Sequence, residues 1–300
     1  MLTSEHPKGS PEYTEDMRKQ LAEFFETKRY IDEPEVFPWF KKDIVEIKPP
    51  AREIFEKYSH IAPAEVELHI KTVRNEAFKI FPYPCVGNWG FLNLSVMNSP
   101  IYDDVLQRIK NGQQYLDIGC CMGQDIRKLI VDGAPQENLY GSDLKQDFWD
   151  IGYDMFCDKT TLRIKFIQAD VFDAESGLRE YDGKIDIVHA ASFFHLFDWD
   201  DQVKAIKRVI GLLQARPGSV VFGRQGGMAK AGVFTHVQDG KTIFWHNPES
   251  WAKIWKQAGD ETSTEWQVQS SLGEEDLTKR ANTVIMPSST RFLTFTIHRV

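Results

Sequence analysis

Three aspartates recur at or near the ends of short apolar runs: Asp117 in "YLDIGCCMGQD", Asp143 in "NLYGSD" and Asp170 in "IKFIQAD". One strand-terminal acid commonly caps the helix that follows it. Three of them, with Gly119 and Gly123 after the first, form a more specific set. The glycines let the backbone of a strand-to-helix turn approach a ligand, where free N–H groups favour a carboxylate or phosphate. Asp117 beside that turn disfavours a pyrophosphate and suits a cationic amino group. Asp143 is placed to accept hydrogen bonds from both hydroxyls of a ribose. Asp170 and the N–H of Val171 can read an adenine edge. Amino acid, ribose and adenine together describe S-adenosylmethionine.

Other residues carry weaker chemistry. His195 in "SFFHLFDWD" is a candidate general base, because the unperturbed pKa of a histidine suits that task, set against packing among Phe193, Phe194 and Phe197. Asp198 and Asp200 are expected to open a helix rather than to react. The adjacent Cys120 and Cys121 invite a redox reading, but the motif holds no activating neighbour, so packing is expected. Cys85 and Cys157 complete the four cysteines, without the spacing of a zinc site. The aromatic set Phe81, Tyr83, Trp89 and Phe91 either pins an N-terminal segment or covers an apolar acceptor. Trp89, between Asn88 and Gly90, is the best covering residue of the set. "GRQGGMAKAG", with Gly223, Gly226 and Gly227, lacks phosphate-loop spacing and is expected to be a flexible substrate-side loop.

The elements that must hold these residues fall into two textures. Residues 11–30 carry Leu21, Phe24 and Phe25 at helical spacing. Pro34, Pro38, Pro49 and Pro50 mark a connector. Helices are expected over about 51–59 and 64–80, and over "IYDDVLQRIKNG". From Gln113 short apolar runs alternate with amphipathic helices, the pattern of a mostly parallel sheet covered on both faces. Asp239-Gly240 between extended arms signals a hairpin. A helix over roughly 248–258 and the strands "EWQVQSS" and "RFLTFTIHRV" close the chain.

Composition bounds the reading. The 300 residues are 42% hydrophobic and carry a formal charge of −8, with no long basic run. Nucleic acid is therefore an unexpected partner. The polar start, "MLTSEHPKGSPEYTED", lacks a signal peptide's apolar centre, and no run reaches the roughly 18 apolar residues of a membrane helix. A cytoplasmic protein with reduced thiols is expected.

"YLDIGCCMGQD" with "SDL", "ADV" and "HAASFFHLFDWDDQ" resembles the class I S-adenosylmethionine-dependent methyltransferases. It looks closest to the fungal secondary-metabolite enzymes of meroterpenoid clusters, and the resemblance spans nearly the whole chain. It implies an α/β, Rossmann-like sheet of seven strands with the seventh antiparallel, behind an N-terminal helical extension. The extension and its cover would occupy residues 1–111, and the S-adenosylmethionine-binding domain residues 112–300. Carried onto this sequence, the cofactor contacts are Asp117, Gly119, Cys120, Gly123, Asp143, Leu144, Asp170, Val171 and Ala190. Trp89, Phe91 and Phe194 would meet the substrate, with His195 catalytic and no metal. The middle glycine of the general first-turn pattern is Cys121 in this chain.

The resemblance implies O-methylation of a small hydrophobic acceptor, foremost a carboxyl group of a terpenoid or polyketide-terpenoid acid. A phenol O- or carbon methyltransferase with His195 as base is the second reading. A cofactor-binding module that supports a partner or a non-methylating rearrangement is the third. An NAD-dependent dehydrogenase is disfavoured, because G-x-G-x-x-G is absent. The N-terminal helices are assigned either a lid or a homodimer contact.

Overall fold

The computed structural model describes residues 15–44, 46–235, 241–275, 277 and 290–300. The polar start (residues 1–14) and the Asp239-Gly240 turn lie outside the described residues.

The N-terminal region is built from α1 (Glu15–Glu26), α2 (Ala51–Glu53), α3 (Val66–Ile80), α4 (Pro84–Gly87) and α5 (Tyr102–Lys110). A wider helical turn over Ile54–Tyr58 continues α2. In α3, Val66, Ile70, Arg74, Ala77 and Phe78 recur on one face and are all buried. The helix ends where Phe81 turns extended ahead of Pro82.

The proline-rich stretch is not the connector expected of it. Phe37 and Trp39 within it are fully buried, their rings 4.6 Å apart, and Trp39 donates to the Pro82 carbonyl at 2.9 Å. Pro34 opens a short 3-10 turn over Pro34–Val36, and a second turn closes from the Phe40 N–H to the Phe37 carbonyl at 2.9 Å, so that the aromatic rings complete the core under α3.

The main sheet contains β1 (Tyr115–Ile118), β2 (Leu139–Asp143), β3 (Lys165–Gln168), β4 (Ile187–Ala191), β5 (Val220–Met228), β8 (Trp266–Leu272) and β9 (Thr290–Arg299). Its order is β3-β2-β1-β4-β5-β9-β8. The first five strands are parallel, and β9 enters between β5 and β8, antiparallel to both. The small sheet of β6 (Gly232–Thr235) and β7 (Thr242–Trp245) forms the arms of the expected hairpin. "GRQGGM" is strand rather than flexible loop, since Gly223–Met228 pair with Phe295–Thr290 of β9.

Four helices intervene: α6 (Gln124–Val131), α7 (Gln146–Phe156), α8 (Trp199–Leu212) and α9 (Pro248–Thr262). One sheet face packs against α8 and α9 through Val203, Ile206, Trp251 and Ile254. The other packs against α5, α6 and α7 through Val105, Ile109, Ile126, Leu129 and Trp149. The N-terminal region docks on α7 and the loop after it. Phe55 stacks on Phe156 with ring centroids 5.5 Å apart, and Tyr58 donates to Asp158 at 2.8 Å. His69 meets the Met155 carbonyl at 3.0 Å. No helix among the described residues is long and apolar enough to cross a membrane.

Candidate functional site

The strand order reverses between β1 and β4, the place where such sheets open a ligand crevice at their carboxyl ends. The turn leaving β1 holds three left-handed residues: Gly119 (φ 71°), Cys121 (φ 51°) and Gly123 (φ 70°). Gly119 and Cys120 both donate to the Ser142 carbonyl, at 2.8 and 3.0 Å, which ties the turn to β2. At Gly123 a Cβ would lie 2.6 Å from both the Arg127 guanidinium and the Trp149 ring. Glycine is required there twice over, by backbone conformation and by space. Cys121 takes the same conformation with a side chain, which packs beside the N-terminal core.

Asp143 ends β2, and its carboxylate faces the glycine turn. It accepts from the Cys121 N–H at 2.9 Å and the Lys145 N–H at 3.0 Å. Burial raises its pKa, against the pull of those two backbone hydrogen bonds. A carboxylate has about four acceptor positions, so acceptor capacity remains. Leu144 beside it is 59% exposed.

Asp170 lies two residues beyond the end of β3, exposed, and accepts from the Phe172 N–H at 2.9 Å. Val171 is buried in the main core, while Phe172 is 40% exposed and sits edge-on to Phe197 at 5.0 Å. Leu144, Phe172 and the 37%-exposed Leu196 therefore stand at the carboxyl ends of β2, β3 and β4. Exposed apolar side chains at three successive strand ends suit a site for a flat or hydrophobic ligand.

Asp117 is buried against a partner that sequence reasoning missed. Its Oδ1 lies 2.9 Å from Nδ1 of His189, its register partner on β4. On the ring's other side, Nε2 lies 3.2 Å from the Ser95 hydroxyl. Asp125, at the start of α6, completes the cluster and accepts from the Val96 N–H at 2.9 Å. Burial of the His189 ring opposes its charge, but Asp117, through charge and hydrogen bond, and Asp125 outweigh it and raise the pKa. Burial also raises Asp125, and the nearby Asp117 adds to that against His189. Donor atoms of Asp117, Asp125 and His189 lie within 4.8 Å of one another. The hydrogen bonds just given already occupy one oxygen of each carboxylate, and the set reads as an ion-paired cluster. A histidine in the buried strand "IDIVHAA" was the available signal, because a fully buried ring of that kind needs a partner.

The remaining predicted residues divide. Ala190 points into the main core with Leu116 and Val188, away from the His189 face, so its side chain does not line a pocket. Phe194 is fully buried against Trp251 at 5.5 Å and is a core residue. Trp89 and Phe91 belong to the N-terminal core; the Trp89 ring stacks 3.7 Å from the Arg74 guanidinium and donates to the Asp43 carbonyl. These three rings are not brought to one surface, and pinning is the reading their packing supports. Asp198 caps α8, accepting from the Asp201 N–H at 2.9 Å, as expected. Burial pushes the Cys120 and Cys121 thiols well above the ordinary range, consistent with packing rather than redox chemistry.

His195 occupies a short turn after β4, where its Nδ1 accepts from the Gly226 N–H at 2.8 Å. Its carbonyl accepts from the Trp245 indole at 3.3 Å. A neutral ring held this way carries its hydrogen on Nε2.

The chain itself tests the fit of S-adenosylmethionine. The first-turn glycines, the start of α6, the spare acceptor positions of Asp143 and the exposed Leu144 and Phe172 offer partners to an amino acid, a ribose and an adenine. With the seven-stranded order and its antiparallel β9, this defines a class I S-adenosylmethionine-dependent methyltransferase.

Comparison with known proteins gives the narrower family. Residues 39–92 match the meroterpenoid methyltransferase N-terminal domain, and residues 116–216 a methyltransferase domain. The O-methyltransferase phiE of Fungal sp. (strain ATCC 74256) is 47% identical over 77% of this chain and 78% of its own length. The asnovolin E/chermesin D methyltransferase nvfJ of Aspergillus novofumigatus is 40% identical, over 77% and 82%. Methyltransferase trt5 of Aspergillus terreus is 38% identical, over 80% and 87%. The chain belongs to this family of fungal meroterpenoid methyltransferases.

Proposed function

We propose that the chain transfers a methyl group to a carboxylate oxygen of a hydrophobic meroterpenoid intermediate, giving a methyl ester. The observation that carries the reading is the state of His195. Its Nδ1 lone pair is engaged by the Gly226 N–H, so the neutral ring is a donor at Nε2 rather than a base. A phenol, with a pKa of about 10, profits from a base, whereas a carboxylate reaches the site already ionised. The O-methyltransferase named among the relatives supports an oxygen acceptor.

In this reading residues 112–300 form the cofactor domain and residues 1–111 the extension. The backbone of Gly119, Cys120 and Gly123 and the carboxylate of Asp143 hold S-adenosylmethionine, with Leu144, Asp170 and Val171 along its nucleoside side. When bound, it supplies an electrophilic methyl group on a sulfonium. The chain's residues align the acceptor oxygen with that carbon and exclude water, and an acceptor that arrives ionised leaves no proton for His195 to remove.

The test incubates the purified chain with labelled S-adenosylmethionine and a panel of prenylated aromatic acids. A base-labile methyl ester is expected. Ether formation, or no turnover across the panel, overturns the reading.

A further inference from the structure

Ser95, His189 and Asp117 form a hydrogen-bonded line across the point where the sheet order reverses. Asp117 on β1 and His189 on β4 are register partners at that crevice, and both are buried. Ser95 is the half-buried end of the line, its two partners being buried. Its position is fixed from both sides in the chain. Leu94 before it is left-handed (φ 40°), a conformation that persists only where surrounding structure enforces it. Val96 after it is anchored by its N–H to Asp125.

The polarity of the line follows from the groups around the ring. Asp117 and Tyr115 of β1, Asp125 of α6, and Phe222 and Arg224 of β5 act on His189. Asp117 and Asp125 raise the ring's pKa despite burial and Arg224, so the imidazolium form persists to higher pH than in a free ring, and the polarity below is that of this form. The charged ring has two hydrogens. Nδ1–H goes to Asp117, and Nε2–H goes to the Ser95 oxygen. The serine's own hydrogen is then directed onward, to an acceptor. A hydroxyl backed by a buried cation suits an anionic oxygen.

We propose that Ser95, held by His189 and Asp117, donates to a carboxylate of the small molecule bound in the crevice between β1 and β4. The carboxylate belongs either to the acceptor, in which case the inference rests on the carboxyl reading above, or to the amino-acid end of the cofactor. Ser95 is the contacting residue, and His189 and Asp117 are positioning residues.

The experiment compares the full chain with Ser95→Ala, Ser95→Thr and His189→Asn. Calorimetry measures S-adenosylhomocysteine and 5′-methylthioadenosine, which lacks the amino-acid end; kinetics measure KM for a prenylated aromatic acid. Ser95→Ala is expected to weaken one carboxylate-bearing probe about 10- to 100-fold, and Ser95→Thr to restore it. Weakened S-adenosylhomocysteine with unchanged methylthioadenosine assigns the carboxylate to the cofactor. A raised KM with unchanged S-adenosylhomocysteine assigns it to the acceptor. Affinity of the wild type for the affected probe should fall as pH rises through the His189 pKa, and His189→Asn should remove that dependence. The proposal is overturned if Ser95→Ala leaves both carboxylate probes within about twofold, or weakens both nucleosides alike. Affinity that increases with pH also overturns it. The nucleoside arm needs no turnover, so a failed ester assay and a failed serine assignment remain distinguishable.

Discussion

Gly123→Ala tests the turn on which the site is built. The alanine must adopt φ near 70°, which costs an L-residue roughly 1–2 kcal/mol. Its Cβ would also meet Arg127 and Trp149 at 2.6 Å. Neither neighbour gives way cheaply. Arg127 is buried and bonded to Asp158 at 2.7 and 2.9 Å and to the Met122 carbonyl at 2.7 Å. Trp149 stacks on Phe166 at 4.9 Å. Overpacking of this kind adds about 1–3 kcal/mol, for a total near 2–5 kcal/mol. Melting should fall by roughly 5–15 °C at the usual conversion for chains of this order of size. The control is Gly112→Ala, also at positive φ but with open space around the Cβ, which should show the backbone strain alone. Scanning fluorimetry and urea titration, each with and without S-adenosylhomocysteine, supply the readout. If the two variants melt within about 2 °C of each other, the close packing of this turn is wrong.

Three further outcomes follow from the same geometry. Asp143→Asn replaces an acceptor oxygen with a donor facing a backbone N–H, and should weaken S-adenosylhomocysteine about 10- to 100-fold in calorimetry; unchanged affinity removes Asp143 from the site. Burial lowers the pKa of His246 to about 3 from 6.5, so the unfolded chain binds the proton first on acidification. Its contribution is present above the unfolded value and is lost as pH falls toward the folded one, about 2 kcal/mol between pH 6.5 and 5. Urea titration of His246→Gln should show a flatter acid limb, and an identical slope refutes the assignment. In thiol titration of the native chain, the exposed Cys157 should react first, ahead of Cys85, whose thiol burial pushes up to about 11, and the buried Cys120 only on unfolding; fast labelling of Cys120 contradicts its packing.

The parallel half of the fold was legible because each strand is a short apolar run and each helix a 3.6-residue pattern. Asp117, Asp143 and Asp170 could be found for the same reason: they stand at or near strand ends. The misreadings have a common physical origin in long-range partners. "GRQGGM" reads as loop from its glycines, yet it is strand because β9 pairs with it from some seventy residues away. Phe37 and Trp39 sit among prolines, and only the apolar face of α3 makes them core. The stretch around Asp117 carries no sign of His189, because the histidine reaches it through strand pairing. Trp89, Phe91 and Phe194 sit beside the site in sequence, but their rings turn into the two cores.

Product analysis separates ester formation from methylation at any other atom. The wild-type chain, labelled S-adenosylmethionine and a prenylated aromatic acid are incubated, and the products are resolved by mass spectrometry before and after mild alkaline hydrolysis. One labelled methyl per product is expected, released by hydrolysis with return of the free acid. A label that survives hydrolysis, as an ether or on carbon, contradicts it.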